Sequence, residues 1–143
     1  MSINIFFYGL FMDINFLLKK GIHPIQSKKG YVIDYALTIG DRASLIPCKS
    51  ERSYGILMTI DDNAVQNLYA ETSVVDYIPE EVTVHTFTNE TIKAICYNLP
   101  LKLITGTNPS YARELYRLST TLDFPKDYSE KIRRIAETET DSQ

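Results

Sequence analysis

The stretch Ile3-Asn4-Ile5-Phe6-Phe7-Tyr8-Gly9-Leu10-Phe11-Met12-Asp13 runs an apolar strand, rich in β-branched and aromatic residues, into a glycine-containing turn and then a helix start. The strand reads as buried. Asp13 is placed to cap a short helix through Lys20, which Gly21 ends and Pro24 follows. A turn of this kind can present backbone N–H groups to an anion. It holds a single glycine, so taken by itself it is an ordinary strand-to-helix connection rather than a phosphate loop.

Outward from this unit, residues 30–39 alternate in the period-two manner of a strand, Gly40-Asp41 makes a turn, and residues 43–46 form the next strand before Pro47. Residues 54–60 are strand-like again. Asp61 or Asp62 then caps a helix whose Ala64, Val65 and Leu68 recur at helical steps and which runs towards Glu71. Residues 74–87 read as a strand broken at Pro79, paired with residues 91–98 across a turn containing Asn89. Beyond Pro100 the pattern turns helical, with Asn108 and Pro109 as a start and Tyr111, Leu115, Leu118 and Leu122 as one apolar stripe. A second helix follows from about Tyr128, and the polar residues 137–143 read as a frayed tail. Six or so strands with four short helices make an α+β chain with a mostly antiparallel or mixed sheet. It reads as one domain over residues 1–137, with 138–143 as the tail.

Composition narrows the function classes. The 143 residues carry a net charge of -3, which gives no electrostatic reason to bind nucleic acid or an anionic membrane. The clusters Lys19-Lys20, Lys28-Lys29 and Arg133-Arg134 are too short to alter this. No stretch approaches the roughly 20 apolar residues that cross a bilayer, and the N-terminus lacks the pattern of a secretory signal. A cytoplasmic protein acting on small molecules is expected. Cys48 and Cys96 read as reduced thiols without metal-ligand spacing, and Asn89-Glu90-Thr91 as a hairpin turn rather than a glycosylation site. His23 and His85 stand far apart, and no Cys, His or Asp grouping has the spacing of a metal centre.

Glu71 is the candidate for acid–base chemistry. With Leu68, Ala70, Val74 and Val75 around it, its carboxylate is expected to be desolvated and its pKa raised towards the range of a general base. Tyr77 reads either as a pocket residue or as a core strand tyrosine. Arg42, beside Asp41, reads as half of a surface pair and is left out of the site.

Three segments, in order, resemble the gamma-glutamylcyclotransferase family. Tyr8-Gly9-Leu10-Phe11 sits where that family has a Tyr-Gly-Ser-Asn or Tyr-Gly-Thr-Leu loop. Ser53-Tyr54-Gly55-Ile56-Leu57-Met58 leads on to Leu68-Tyr69-Ala70-Glu71 and Asp76-Tyr77, and Pro109-Ser110-Tyr111-Ala112 leads on to a C-terminal helical segment from Phe124 to Ile132. The resemblance implies a small, partly closed β-barrel flanked by short helices. It also implies conversion of a gamma-glutamyl amine, amino acid or peptide to 5-oxoproline, without cofactor or metal. Glu71 would be the general base. Tyr8, Gly9, Leu10 and Phe11 would bind substrate through their amides, and Tyr77 would line the pocket and steady the glutamate. Leu10 replaces the usual Ser or Thr, and Phe11 stands where Asn or Leu is found, which removes a hydroxyl and dries the loop. That departure keeps two alternatives open. One is a non-catalytic binding module of the same fold. The other is a protein-interaction domain, a homodimer through its C-terminal helices, for which Glu71 would be exposed and no pocket would close.

Overall fold

Side chains alternate across a strand, so consecutive apolar residues mark a stretch buried on both faces, and the second half of β1 (Ser2–Phe7) is one: Ile5, Phe6 and Phe7 are all sealed from solvent. In the computed structural model, which describes residues 1–141, β1 is followed by α1 (Ile14–Lys19), β2 (Gln26–Ile39), β3 (Ala43–Asp61) and α2 (Asp62–Tyr69). The hairpin β4 (Ile78–Thr86) and β5 (Thr91–Asn98) comes next, then α3 (Pro109–Thr121) and α4 (Lys126–Asp141).

The strand order is β1-β3-β2-β4-β5, antiparallel at every seam except β1–β5, where Ile5 meets Ile95 in parallel. The sheet curls round until its two edges meet, giving the expected α+β architecture with helices outside. The seams are unequal: β2 and β3 pair along most of their length, whereas β2 touches β4 only at Gly30–Thr86 and Tyr31–His85. Gly30 and Gly55 permit the tight curvature. A Cβ on Gly55 would stand 2.2 Å from the Phe7 carbonyl oxygen, and one on Gly30 would stand 2.8 Å from that of His85. Ile5, Val32, Met58, Val84 and Cys96 of the sheet are fully buried, and Leu115 and Ile132 of the C-terminal helices are equally sealed. Each fully buried side chain of this size contributes about 1.5–3 kcal/mol.

Three expectations are corrected. The six strands are five, because residues 43–46 and 54–60 belong to one strand, β3. Between the Ile33–Arg52 and Tyr35–Pro47 pairs, residues 48–51 loop out opposite Asp34, whose carboxylate accepts the Ser50 amide. Pro47, lacking an N–H, falls at this irregularity, as a proline within a sheet must. Residues 74–77 are a turn, held by bonds from the Val74 amide to the Glu71 carbonyl and from the Tyr77 amide to the Val74 carbonyl, and β4 starts only at Ile78. Finally, α4 runs through Glu137 to Asp141, over most of the stretch read as a tail, and Glu137 pairs with Arg133 one turn back. Ser142 and Gln143, the rest of that stretch, lie outside the described residues. The caps are as expected: Asp13, Asp61 and Asn108 accept the amides of Asn15, Asn63 and Tyr111.

Candidate functional site

The end of β1 delivers residues 8–11 to the mouth of the barrel, and three contacts fix them there. The Tyr8 hydroxyl donates to the Tyr97 carbonyl at 2.8 Å, the Leu10 amide donates to the Tyr111 hydroxyl at 3.3 Å, and the Met12 amide closes a turn on the Gly9 carbonyl. Gly9 is required by that packing, since a Cβ there would sit 2.4 Å from the Tyr111 hydroxyl. The amides of Gly9 and Phe11 take no acceptor among the described residues.

Opposite this turn, Asn108 ties the start of α3 to the β2–β3 turn by donating to the Asp41 carbonyl, and the Asp41 amide bonds the Thr105 carbonyl at 2.7 Å. Between these elements lies a cavity of about 500 Å³, a size that suits a small-molecule ligand. One wall is aromatic: Phe11 makes ring contacts with Phe7, Phe16 and Tyr69, each at 5.8 Å between centroids. Tyr69 in turn stacks on Tyr97 at 3.8 Å and 9°. The other wall carries Asp41, Arg42, Tyr77 and Tyr111, with Glu114, Arg117, Leu118 and Thr121 of α3. Arg42 pairs with Asp76 at 3.2 Å and lies over the Tyr77 ring, and Arg117 pairs with Glu114 at 2.8 Å.

Burial governs the ionisation of the phenols. It pushes Tyr8 and Tyr69 well above the ordinary tyrosine value, Tyr77 also upwards, and Tyr111 up to about 12 against the opposing pull of the Leu10 amide. All four are therefore neutral hydroxyls at physiological pH and can act as hydrogen-bond donors.

The structure brings together five of the six residues expected at the site: Tyr8, Gly9, Leu10, Phe11 and Tyr77 all line the cavity. Glu71 does not. Its side chain is 44% exposed, and both carboxylate oxygens are bonded by Lys20 at the end of α1, at 2.7 and 3.0 Å. The desolvated carboxylate expected from the apolar neighbours is corrected here. Tyr69, the last residue of α2, turns into the cavity, and the chain leaves the helix with Ala70, Glu71, Thr72 and Val75 all at the surface. Tyr77 does not steady Glu71 either, because its hydroxyl donates to the Ala43 carbonyl. Arg42, set aside as a surface residue, lines the cavity, and Tyr69, Tyr97 and Tyr111 were not picked out. By its spacing Tyr111 belongs to an apolar stripe, and no spacing rule separates a core tyrosine from one whose hydroxyl reaches across to another loop. Among the described residues no group of three or more His, Cys, Asp or Glu could hold a metal ion.

A small barrel with a single-glycine turn beside a half-open, largely aromatic cavity makes a candidate small-molecule site on an α+β scaffold. The model of the family "Gamma-glutamyl cyclotransferase, AIG2-like" matches residues 5–118, and the chain belongs to that family. Solved structures share the fold at low identity. One titled "Gamma-glutamyl cyclotransferase" is 17% identical with a TM-score of 0.73, over 93% of this chain and 87% of that one. A gamma-glutamyl cyclotransferase specific to glutathione from yeast is 13% identical with a TM-score of 0.68, over 99% of both chains. YkqA from Bacillus subtilis is 20% identical with a TM-score of 0.75, over 95% of this chain, which spans about half of YkqA. No curated protein matches the chain. Among the described residues no helix is long and apolar enough to cross a membrane.

Proposed function

We propose that this chain binds a small gamma-glutamyl compound in the aromatic cavity and cyclises it to 5-oxoproline, releasing the amine. The observation that carries the reading is the pair of Gly9 and Phe11 amides, without acceptors among the described residues, in two residues that line the cavity of a chain of this family. Such amides suit either the substrate's α-carboxylate or the oxyanion that develops on the γ-carbonyl. In the reaction the α-nitrogen forms a bond to the γ-carbonyl carbon, the amide C–N bond breaks, and the proton lost by the α-nitrogen ends on the departing amine. Atoms balance without water, oxidant or cofactor. Because nucleophile and electrophile belong to one molecule, the cavity need only fold the substrate so that they meet.

Glu71 is the proposed base, and its pairing with Lys20 sets a condition. Ion pairs this exposed are worth about 0–1 kcal/mol, so exchanging Lys20 for a substrate α-ammonium costs little. The carboxylate starts the turn whose Ser73 and Val74 already line the cavity, so a local rearrangement of residues 71–74 would carry it inward. A second reading is favoured by the same observation: with Glu71 held outside and Tyr69 inside, the chain would bind gamma-glutamyl ligands without turnover.

The deciding experiment measures 5-oxoproline release by mass spectrometry from gamma-glutamyl amines, amino acids and glutathione, comparing wild type with Glu71→Gln. Turnover by the wild type that falls at least about 100-fold in the variant supports Glu71 as base. Turnover equal in both removes Glu71 from the mechanism. Binding with a silent panel supports the second reading.

A further inference from the structure

The turn between β2 and β3 brings a carboxylate, that of Asp41, to the cavity on a backbone that is pinned from several sides. The Gly40 amide donates to the Arg42 carbonyl at 3.0 Å, the Asp41 amide to the Thr105 carbonyl at 2.7 Å, and the Asn108 side chain to the Asp41 carbonyl at 3.0 Å. Gly40 lies so close to Thr105 that a Cβ would stand 2.5 Å from its carbonyl oxygen. Asn108 also accepts the amide of Tyr111, whose hydroxyl accepts the Leu10 amide. One side chain therefore ties Asp41 to the residue that clamps the amide turn. Three carboxylates line the cavity, and two are engaged: Asp13 caps α1 through the Asn15 amide, and Glu114 pairs with Arg117. Neither carboxylate oxygen of Asp41 has a partner among the described residues. Its charge reaches the cavity wall all the same: burial is the main cause of the upward push on the Tyr77 hydroxyl, and Asp41 adds to it against Arg42.

A carboxylate fixed in place and left without a donor suits a cation that can hydrogen-bond to it. A gamma-glutamyl compound brings one, its α-ammonium, and the rings of Phe11 and Phe16 offer that group no hydrogen-bond acceptor. Glu71, the proposed base, stands outside and is paired with Lys20. Resting on the gamma-glutamyl reading, we infer that Asp41 receives the substrate's α-ammonium, accepting N–H hydrogen bonds that hold the nitrogen in the cavity. The two carboxylates then divide the work: Asp41 orients the nitrogen, and the base takes its proton.

Asp41→Asn keeps the size of the side chain and the backbone bonds of the turn while removing the charge. The probes are gamma-glutamyl-ethylamide and glutaric acid monoethylamide, which differ only in the α-ammonium. Binding is measured by calorimetry on the full chain carrying Glu71→Gln, with and without Asp41→Asn, beside 5-oxoproline release by the wild type. Asp41→Asn should weaken the gamma-glutamyl compound at least about tenfold and leave the deamino compound within about twofold. Retained binding of the deamino compound shows at once that the cavity is still folded. Unchanged affinity for the gamma-glutamyl compound, or equal losses for both, overturns the inference, and turnover by the wild type leaves cyclisation standing. Absence of turnover by the wild type sinks the cyclisation reading instead, and the binding comparison then decides the inference alone. No binding of gamma-glutamyl-ethylamide overturns it outright.

Discussion

Two turns bound the candidate site, and they are built in opposite ways. Residues 8–11 are clamped from inside: the Tyr8 hydroxyl on Tyr97, the Leu10 amide on Tyr111, the Phe11 ring among Phe7, Phe16 and Tyr69. Residues 71–76 are held more loosely, by two turn hydrogen bonds and by two part-exposed ion pairs, Lys20 on Glu71 at the surface and Arg42 on Asp76 at the cavity. Buried rings and bonds fix one geometry, whereas exposed pairs hold a side chain by a fraction of a kcal/mol. The rigid turn is suited to presenting amides, which must be preorganised to act on a developing charge. The loose turn is suited to a group that has to exchange partners.

The largest expected difference between the two turns appears in alkali. Burial raises the folded-state ionisation of Tyr8, Tyr69 and Tyr111 above the ordinary tyrosine value of about 10, with Tyr111 up to about 12. Between those pH values the unfolded chain has lost protons that the folded chain keeps. The stabilisation is therefore fully present below about pH 10 and is lost as pH rises through the folded values. Tyr111 alone accounts for about 2 kcal/mol by pH 12. Urea unfolding followed from pH 8 to pH 11 should show a steep fall above pH 10, and Tyr111→Phe should flatten it. A pH-independent midpoint would mean that these phenols are solvated and the turn is not clamped.

Next comes the packing that makes Gly9 obligatory. Gly9→Ala places a methyl 2.4 Å from the Tyr111 hydroxyl, and the displacement should cost about 1–3 kcal/mol of stability together with ligand affinity. The next contact of that Cβ, the ring carbon bearing the hydroxyl, is already at 3.7 Å. Tyr111→Phe should therefore rescue Gly9→Ala, giving a double-mutant coupling of about 1 kcal/mol or more in the denaturation midpoints. Strict additivity would show that the turn accommodates the methyl by moving elsewhere.

The same division explains what the sequence disclosed. The apolar run at the end of β1, the period-two pattern of β2, the caps at Asp13, Asp61 and Asn108, and the glycine turn are dictated by burial or by local hydrogen bonding, and each was legible. What escaped depended on contacts distant in sequence. Tyr111 meets Leu10 across 101 residues, and nothing near Tyr111 distinguishes it from a core-facing stripe residue. The merged strand β3 escaped because Pro47 reads as an end, although a loop-out opposite Asp34 absorbs it. The sequence neighbours of Glu71 suggest an apolar setting, yet Ala70 and Val75 are themselves at the surface, so proximity along the chain does not imply burial.

The smallest expected effect is the most discriminating for the outer turn. If Lys20 and Glu71 are a surface pair of the ordinary kind, Glu71→Gln and Lys20→Ala should each change stability by no more than about 0.5–1 kcal/mol, and the double variant should show little coupling. Their effects on function should differ. Lys20→Ala frees the carboxylate and should leave turnover within about threefold of wild type or raise it, while Glu71→Gln abolishes it. A loss of activity in Lys20→Ala as deep as in Glu71→Gln would show that the pair acts as a unit, with the lysine holding the carboxylate where it works rather than restraining it. The outer turn would then be as preorganised as the inner one, and the contrast between them would fail.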